Sequence, residues 1–482
     1  MTSTNTLSRT AAVQRAVVIG GSMTGMLTAA ALRGLAEEVL IVEADELPHG
    51  PAPRKGLPQA GHVHLMWSGG VHAAEALLPG LTNAWLMAGA HYVPIPTGMV
   101  GLSSQGWFRR WDRESHFLIA CSRDLLDSVV RERVVQMSGV RVVQARVEGV
   151  LGTAQRVTGV LVRESDGREQ VIGADFVVDA SGRGSRAPQY LKSLGIDPPD
   201  EDVVDAGLVY ASRLFRAPKG SDGFPVVSIQ ADPRAPVPGQ SAALLPIEGG
   251  KWLVTTGGTR GGEPTGSAED FEKFARGLRH PLIGEVISHL TPLSGVTLNR
   301  STRNRRRYFE RVRRWPEGFV VLGDAVAAFN PVYGHGMSVS AQQALVLRRH
   351  ACGGLQRPKL AKHVQQAAAR KVGAAWSMAT GQDLFYPGAT GGRLRVANRV
   401  LTRYVDRALR TTTGSFSATR KFTDVSSLQS PVASLLAPRL MLATAIGPLR
   451  PPLLGPPLSA RESALMRPAT GFDIDEVDRE LP

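Results

Sequence analysis

The chain has 482 residues, 43% hydrophobic and 20% charged, which excludes a disordered or fibrous protein and leaves room for about two or three structural units. Its 56 basic and 42 acidic residues give a formal net charge of +14, so a polyanionic partner has to be considered. Two cysteines exclude a disulfide framework, and no Cys/His cluster has the spacing of a zinc site, so we expect no metal.

The first predicted elements form one βαβ unit. From Arg15 the sequence runs RAVVIGGSMTGMLTAAALRGLAEEVLIVEAD: an apolar run, a glycine turn, an alanine-rich helical stretch and a second apolar run. The turn carries Gly20, Ser22 and Gly25 at the three fingerprint positions, and Glu43 ends the second strand. Such a turn lets a pyrophosphate approach the helix N-terminus while the acid binds ribose hydroxyls. The pattern predicts a site for FAD or NAD; a plain strand-turn-helix is the alternative.

The middle of the chain contains predicted strands with one helix, followed by a region of alternating strands. We predict a strand at 118–122, a helix at 123–136, and strands at 140–147, 159–163 and 174–180. From 210 to 257, alternating strands are divided by Pro and Gly turns, which favours a separate antiparallel sheet inserted into the first domain. Residues after about 351 have helical spacing, and the last forty are rich in proline.

A late segment distinguishes FAD from NAD. Residues 319–337 read FVVLGDAVAAFNPVYGHGM, in which Asp324 ends a buried strand and a glycine-rich turn opens a helix. The carboxylate can accept hydrogen bonds from ribitol hydroxyls, and backbone NH groups of the turn can hold the negative edge of a flavin. An N-cap role for Asp324 is the alternative. The presence of both segments in one chain favours FAD.

These motifs resemble those of the p-hydroxybenzoate hydroxylase and squalene epoxidase type of flavoprotein monooxygenases. The resemblance rests on Gly323-Asp324 and on the stretch DASGRGSR at 179–186, where Ser181 replaces the usual Asp. That replacement leaves direct use of NAD(P)H open. The resemblance implies an α/β fold: a Rossmann-type FAD domain (13–72, 116–200 and 300–350), an inserted antiparallel β-sheet substrate domain (73–115 and 201–299), and a helical C-terminal region with a Pro-rich tail (351–482).

A closer resemblance extends over most of the chain. The segments RKGLPQAGHVH (54–64), LMWSGG (65–70), IACSR (119–123), LFRAP (214–218), TRGGEP (259–264) and 324–338 are similar to the actinobacterial FAD-dependent epoxidases of polyether ionophore biosynthesis, such as the lasalocid and monensin epoxidases. The resemblance implies epoxidation of the alkenes of a linear polyene polyketide by a flavin C4a-hydroperoxide. Molecular oxygen would be the co-substrate, with electrons from NAD(P)H directly or through a separate flavin reductase.

The resemblance also implies roles for individual residues. Gly20, Ser22 and Gly25 would line the pyrophosphate, Glu43 the adenosine ribose, and Asp324 the ribitol. The other residues expected at the cofactor are Arg123 near phosphate and ribose, Val147 beside adenine through its backbone, and Pro331, Gly334, Gly336 and Met337 at the flavin ring. Arg54 and Lys55 would lie over the diphosphate, which suits an arginine fork; a solvated loop pair is the alternative.

The expected reaction needs no catalytic side chain, because the alkene supplies the electrons and the flavin the oxygen. His62, His64 and His335 are therefore interpreted as structural. Five aromatic residues are candidates for an apolar substrate tunnel, with ordinary core packing as the alternative: Trp67, Tyr210, Phe215, Trp252 and Phe329.

Other functions remain open at this stage. An aromatic hydroxylase or an alkene reductase of the isoprenoid type would share the cofactor residues, whereas the Trp-x-Trp-x-Ile-Pro motif of flavin halogenases is absent. The run RSTRNRRRYFERVRR (300–314) holds eight arginines; alone it suggests nucleic acid, but a solvated face, an acidic carrier protein or a reductase also fits. We expect no nucleic-acid partner, a monomer, a cytoplasmic location and no membrane span.

Overall fold

The computed structural model describes residues 13–392 and 396–466. Its strands are β1 (Val13–Ile19), β2 (Ala36–Glu43), β3 (Leu65–Trp67), β4 (His91–Ile95), β5 (Met99–Ser103), β6 (Gly106–Trp107), β7 (His116–Ala120), β8 (Val140–Gln144), β9 (Arg146–Gly152), β10 (Val157–Arg163), β11 (Glu169–Gly173), β12 (Phe176–Asp179), β13 (Glu201–Val204), β14 (Val209–Arg216), β15 (Val226–Ile229), β16 (Gln240–Ile247), β17 (Lys251–Gly258), β18 (Thr297–Asn299), β19 (Asn304–Arg307), β20 (Phe319–Val321) and β21 (Ala327–Ala328).

The α-helices are α1 (Met23–Leu32), α2 (Ser68–Leu77), α3 (Leu81–Met87), α4 (Arg123–Val135), α5 (Ala187–Ser193), α6 (Ala268–Arg276), α7 (Leu282–Ile287), α8 (Gly336–His350), α9 (Leu360–Asp383), α10 (Val396–Thr412), α11 (Phe416–Ser426), α12 (Pro438–Ile446) and α13 (Ala460–Leu465). None of these helices is both long and apolar enough to cross a bilayer.

A parallel sheet forms the centre of the first domain. Its strand order is β20-β12-β1-β2-β8, and β1 pairs in parallel with both β2 and β12. In β1, Ala16 and Val18 pack into one core cluster and Val17 and Ile19 into another. Because both faces are covered, the strand is apolar at successive positions, as in the predicted βαβ unit.

Different layers cover the two faces of this sheet. Helices α1, α2, α4 and α8 pack on one face. The other face is covered by the antiparallel sheet β9-β10-β11, helix α5 and part of α9. The edge strand β20 is closed by a side chain of α9: the Gln365 amide accepts from the Val321 N–H at 3.0 Å and donates to the Val321 carbonyl at 3.1 Å.

The second large sheet has the order β18-β14-β17-β16-β15-β5-β6. Its pairs are antiparallel except β15 with β5, which run parallel. Helices α6 and α7 cover one face through a core that includes Phe215, Trp252 and Phe271. The other face looks toward the 59–64 loop. The α/β fold with an antiparallel sheet and a helical C-terminal region is therefore as expected.

Two parts of the predicted substrate domain lie in different places. Strands β5 and β6 join the large sheet, whereas α2 and α3 pack with α8 and α4 in the core of the parallel sheet. The reason is visible in α3, where Trp85 is fully buried and donates through its indole nitrogen to the Leu126 carbonyl at 3.2 Å.

Part of the arginine-rich run 300–314 forms a strand whose arginines pair with acidic residues. Its centre forms β19, which pairs antiparallel with β13 and places Arg307 opposite Glu201. The Arg307 Nε lies 2.9 Å from a Glu201 oxygen, and its Nη1 donates to the Ser185 carbonyl at 3.0 Å. Arg306 pairs with Glu310 at 2.9 Å. The exposed arginines of this run are Arg300, Arg303, Arg311, Arg313 and Arg314.

Candidate flavin and substrate site

The N-terminal glycine turn is built for close backbone approach. Gly20 has φ +99°, and a Cβ there would lie 2.8 Å from the Ala180 carbonyl oxygen. A Cβ on Gly25 would lie 1.8 Å from the Gly20 oxygen, so the turn and α1 require glycine at both positions. Ser22 is the N-cap of α1, but its side chain makes no capping bond and the first turn holds no acid. The N-terminal NH groups are therefore available to a phosphate.

Glu43 lies beside this turn, where a ribose would be expected. Its carboxylate accepts from the backbone N–H of Gly21 at 2.6 Å and of Asp45 at 3.0 Å. The buried Arg54 places Nη2 2.9 Å from Glu43 and donates through Nη1 to the Gly21 carbonyl at 3.2 Å. Arg54 Nε is buried and has no hydrogen-bond partner among the described residues. The structure thus places Arg54 at the turn, whereas the neighbouring Lys55 is exposed.

The late segment meets the N-terminal unit. Gly323 has φ +67°, and a Cβ there would lie 2.5 Å from Thr24 Oγ1 in α1; Thr24 in turn bonds to Ser340 of α8 at 2.9 Å. Asp324 follows, with its side chain 35% exposed and 3.9 Å from Arg183 Nε. A Cβ on Gly336 would lie 3.7 Å from Asp324 Oδ1. The two cofactor segments, which are 303 positions apart in the chain from Gly20 to Gly323, therefore lie side by side around one recess.

Two opposing effects act on the pKa of Asp324 in this recess. Burial raises the pKa of Asp324, while the positive charges of Arg183, Arg123 and Arg305 lower it in part. Arg123, at the start of α4, lies 2.9 Å from Asp127 Oδ1 through its Nε. A carboxylate surrounded by arginines and open to the recess can accept from the hydroxyls of a ribitol chain.

The remaining predicted cofactor residues occupy several elements. Val147 is in β9, and its carbonyl accepts from Tyr190 Oη at 3.3 Å. Gly334 has φ +63° and packs against Leu65. Met337 is the second residue of α8 and is buried. Pro331 borders the cavity described below. The individual contacts of these residues with a cofactor stay predictions.

Ser181 has an internal role in the middle motif. Its backbone N–H and Oγ donate to Asp179 Oδ1 at 2.9 and 2.5 Å, and Ser185 Oγ donates to Asp179 Oδ2 at 2.8 Å. Asp179 is fully buried, and this burial raises its pKa. Ser181 thus holds the turn that packs against Gly20, and the direct use of NAD(P)H stays open.

The donor set fits FAD. It combines free NH groups at the start of α1, the ribose-binding position of Glu43, an unpaired guanidinium N–H of Arg54, and the Asp324 carboxylate at the opening of α8. These groups match the diphosphate, the adenosine ribose and the ribitol chain of FAD.

A cavity of about 110 Å³ lies next to this recess. It is bordered by the 59–64 loop, strands β14 to β17, the segment 330–333 and the end of α9. The segment 330–333 leads directly to Gly334 and Gly336, so the cavity adjoins the predicted position of the flavin ring. No lysine or arginine borders it within the described parts of the chain, and Asp383 is its one carboxylate.

Only one of the five aromatic candidates borders this cavity. Tyr210 does so, and its hydroxyl donates to Asn330 Oδ1 at 3.0 Å. Phe215 and Trp252 do not, because side chains alternate along β14 and β17 and these two face α6 and α7. Trp67 and Phe329 also pack in hydrophobic clusters, and Trp67 Nε1 donates to the Tyr333 carbonyl at 3.2 Å. Their assignment to a substrate tunnel stays a prediction.

A polar network that no sequence motif predicts lies at the end of α9. Asn304 and Asn330 both donate through Nδ2 to Asp383, at 2.6 and 3.0 Å from Oδ2. Burial raises the pKa of Asp383 to about 6. Asp383 ends a long helix in a region without a recognised motif, so no local pattern indicated it. The sequence signal available for its partner Asn330 was the Asn-Pro pair at 330–331.

The three histidines differ in surroundings. His335 Nε2 lies 2.9 Å from the Ser426 carbonyl, and His64 Nδ1 lies 2.8 Å from the His62 carbonyl, as expected of structural residues. His62 and His64 both border the cavity, and His62 Nδ1 lies 2.7 Å from Ser212 Oγ. Burial lowers the pKa of His62 to about 4, so its ring is neutral near pH 7.

Comparison with known proteins identifies the family. The model for the FAD binding domain family matches residues 14–352. Protein Rv3254 of Mycobacterium tuberculosis is 32% identical over 388 residues, covering 78% of this chain and 81% of that protein. A kynurenine 3-monooxygenase of Salinispora tropica is 27% identical over 355 residues, covering 69% of this chain and 72% of that protein.

The structure of p-nitrophenol 4-monooxygenase PnpA from Pseudomonas putida DLL-E4 has a TM-score of 0.61 at 16% identity, covering 87% of this chain and 99% of that chain, which is a likeness of fold. Fold, cofactor and enzyme class agree with the sequence-based expectations. The chain belongs to the FAD-binding-domain family of flavin-dependent monooxygenases.

Proposed function

We propose that this monooxygenase epoxidises the alkenes of a linear polyene polyketide, in the biosynthesis of a polyether antibiotic. The observation that supports it is the character of the cavity: no lysine or arginine among the described residues borders it, although the whole chain carries a net charge of +14. A substrate with a carboxylate or phosphate in this cavity would require a buried cation. A neutral chain does not.

The walls of the cavity are suited to an extended substrate. Strands β15 and β16 present small groups to it, including Ser228, Ser241 and Ala243. Small side chains along extended strands leave a channel that follows the strand direction. Residues 330–333 bring one wall next to the turn that opens α8, where an alkene would meet the flavin.

The chemistry of epoxidation asks little of the protein's side chains. Reduced FAD and molecular oxygen together supply an electrophilic oxygen atom, and the alkene supplies the electron pair. In balance, the alkene, O₂, NAD(P)H and one proton give the epoxide, water and NAD(P)⁺. The chain must exclude water and orient the double bond. The buried Tyr210 and Asn330, fixed by their mutual hydrogen bond, can serve as such a wall.

Aromatic hydroxylation is a second candidate, and one observation favours it. Asp383 borders the cavity with a pKa raised to about 6, so it is ionised at neutral pH and can accept a proton from a phenol. Epoxidation releases no proton from the substrate and makes no use of this property. The products of the two reactions differ, which allows a direct test.

The test uses farnesylacetone, a linear polyene ketone, and p-nitrophenol as parallel probes. The purified protein receives FAD, NAD(P)H and oxygen-18 gas, with and without a general flavin reductase, and products are identified by mass spectrometry. We expect labelled epoxides of farnesylacetone. A labelled diphenol with no epoxide would overturn the proposal in favour of hydroxylation, and an unlabelled saturated ketone would indicate an alkene reductase.

The same experiment addresses the source of electrons and the form of the substrate. We propose that reduction comes either from NAD(P)H bound directly or through a separate reductase, and the two reactions with and without reductase separate these routes. Repeating the assay with the polyene attached to an acyl carrier protein tests whether the substrate is carrier-bound. Faster turnover of the carrier-bound form would support an acidic partner for the exposed arginines of 300–314.

A further inference from the structure

His62 belongs to a directional chain of hydrogen bonds that ends in the cavity. Ser212 Oγ lies 2.7 Å from His62 Nδ1, and Thr255 Oγ1 lies 2.5 Å from Ser212 Oγ. The backbone N–H of Val63 donates to Thr255 Oγ1 at 2.9 Å. His62, Ser212 and Thr255 are all buried, with 3%, 2% and 7% of their surface exposed.

The direction of the hydrogen bonds in this chain follows from counting the polar groups that each direction leaves unpaired. Thr255 Oγ1 already accepts from Val63, and its own proton has one neighbouring acceptor, Ser212 Oγ. Ser212 must then donate its proton to Nδ1 of His62. The opposite direction would leave two buried groups unpaired among the described residues, the Thr255 proton and the Nε2 lone pair of His62, whereas this direction leaves one, the Nε2–H.

This assignment determines the tautomer of His62. Because Nδ1 accepts from Ser212 and the ring is neutral near pH 7, the ring proton lies on Nε2. His62 Nε2 is buried and has no partner among the described residues, and His62 borders the cavity. The structure thus leaves one buried ring N–H without a protein partner on a residue that borders the cavity.

We propose that His62 Nε2–H donates a hydrogen bond to a neutral oxygen of the substrate, a ketone, ester or hydroxyl oxygen on the polyene chain, and so positions its alkene. His62 is a positioning residue in this proposal, and the reaction still draws its oxygen from the flavin. The inference deepens the proposed function and rests on it for the identity of the cavity. It predicts that the substrate is an oxygen-bearing chain and that a pure hydrocarbon is a poorer ligand.

The tautomer can be measured without any substrate. Protein labelled with nitrogen-15 in its histidine rings gives distinct resonances for protonated and unprotonated ring nitrogens, and the signals of His62 are identified by their loss in His62→Phe. We expect the proton on Nε2 in the wild type. In Ser212→Ala the proton should be shared between the two nitrogens, while Ser128→Ala, which removes a buried hydroxyl of α4, should change nothing at His62. A proton on Nδ1 in the wild type would overturn the inference.

The role in recognition is tested with a matched pair of ligands, farnesylacetone and the hydrocarbon in which a CH₂ replaces its carbonyl. Binding is followed by the change in flavin absorbance of the FAD-loaded protein. We expect the wild type to bind the ketone about fivefold to tenfold more tightly, the effect of one net hydrogen bond. His62→Phe should remove the preference. His62→Gln should restore part of it, because its amide can accept from Ser212 and donate to the cavity.

The outcomes separate this inference from the proposed function. If both ligands are epoxidised with equal affinity, the inference fails and the epoxidase proposal stands. If the ketone preference depends on His62 but no epoxide forms, the epoxidase proposal fails and the donor role stands. An unchanged preference in His62→Phe protein that still binds FAD would count against the inference whatever the product.

Discussion

The flavin recess and the substrate cavity are built by different means. The recess is made of backbone turns. A Cβ on Gly20 or Gly25 would lie 2.8 or 1.8 Å from a carbonyl oxygen, and one on Gly323 would lie 2.5 Å from the Thr24 hydroxyl. The cavity is made of side-chain networks whose members are far apart in sequence, such as Asp383 with Asn304 and His62 with Ser212. The recess is therefore encoded by local motifs, whereas the cavity depends on the assembled tertiary structure.

The largest effect should follow from changing the backbone of the recess. In Gly25→Ala the new Cβ would lie 1.8 Å from the Gly20 oxygen, which the turn can relieve only by moving the start of α1. We expect loss of bound FAD and a destabilisation of about 3 kcal/mol or more. The matched change is Gly373→Ala in α9, where no atom lies within 4 Å and where about 0.5 to 1 kcal/mol of stabilisation is expected. Flavin content after purification and chemical unfolding measure both.

The next effect concerns the charged side chain of the recess. Glu43→Ala should weaken FAD binding about 10- to 100-fold, because it removes a ribose acceptor and leaves Arg54 without its closest carboxylate. Titration of the apoprotein with FAD measures the change. Lys55→Ala, next to Arg54 but exposed, should stay within about twofold of the wild type. Full affinity in both Glu43→Ala and Asp324→Ala would contradict the assignment of these segments to the cofactor.

For the cavity, the sharpest prediction is a pH dependence. Burial raises the pKa of Asp383 from 3.8 to about 6, so the folded protein holds a proton that the unfolded chain has released between these pH values. The free energy of unfolding should therefore fall as the pH rises from about 4 to 6, by about 3 kcal/mol in all. Asp383→Asn should lack this contribution. Unfolding curves of the two proteins at several pH values give the difference; parallel profiles would rule out the shifted pKa.

The smallest effect should separate the two faces of β14. Phe215→Leu lies on the face packed by α6 and α7, and it should cost about 1 kcal/mol of stability with no change in KM. Tyr210→Phe lies on the cavity face and loses the hydrogen bond to Asn330, so it should raise KM with little loss of stability. Steady-state kinetics with an accepted polyene decides; a raised KM in Phe215→Leu would return that residue to the substrate site.

The residues that the sequence identified well share a physical property. Gly20, Gly25 and Glu43 act through a short turn whose spacing is dictated by backbone geometry, so their roles leave a local pattern. The placement of Phe215 away from the cavity could also be predicted, since Tyr210 and Phe215 are separated by an odd number of positions on one strand and so face opposite sides. Asp383 and the Ser212–His62 pair were not predictable, because only the folded chain brings their partners together.

The contact between Gln365 and Val321 has a consequence for how the chain can be divided. The matched family segment ends at residue 352, before α9 begins at Leu360, yet α9 covers the open edge of the parallel sheet through Gln365 and completes the cavity with Asp383. A fragment ending at the family boundary would expose the unpaired N–H and C=O groups of β20, which favours strand pairing between molecules. During synthesis, the edge of β20 stays open until Gln365 of α9, which lies 29 positions after Gly336, has been made.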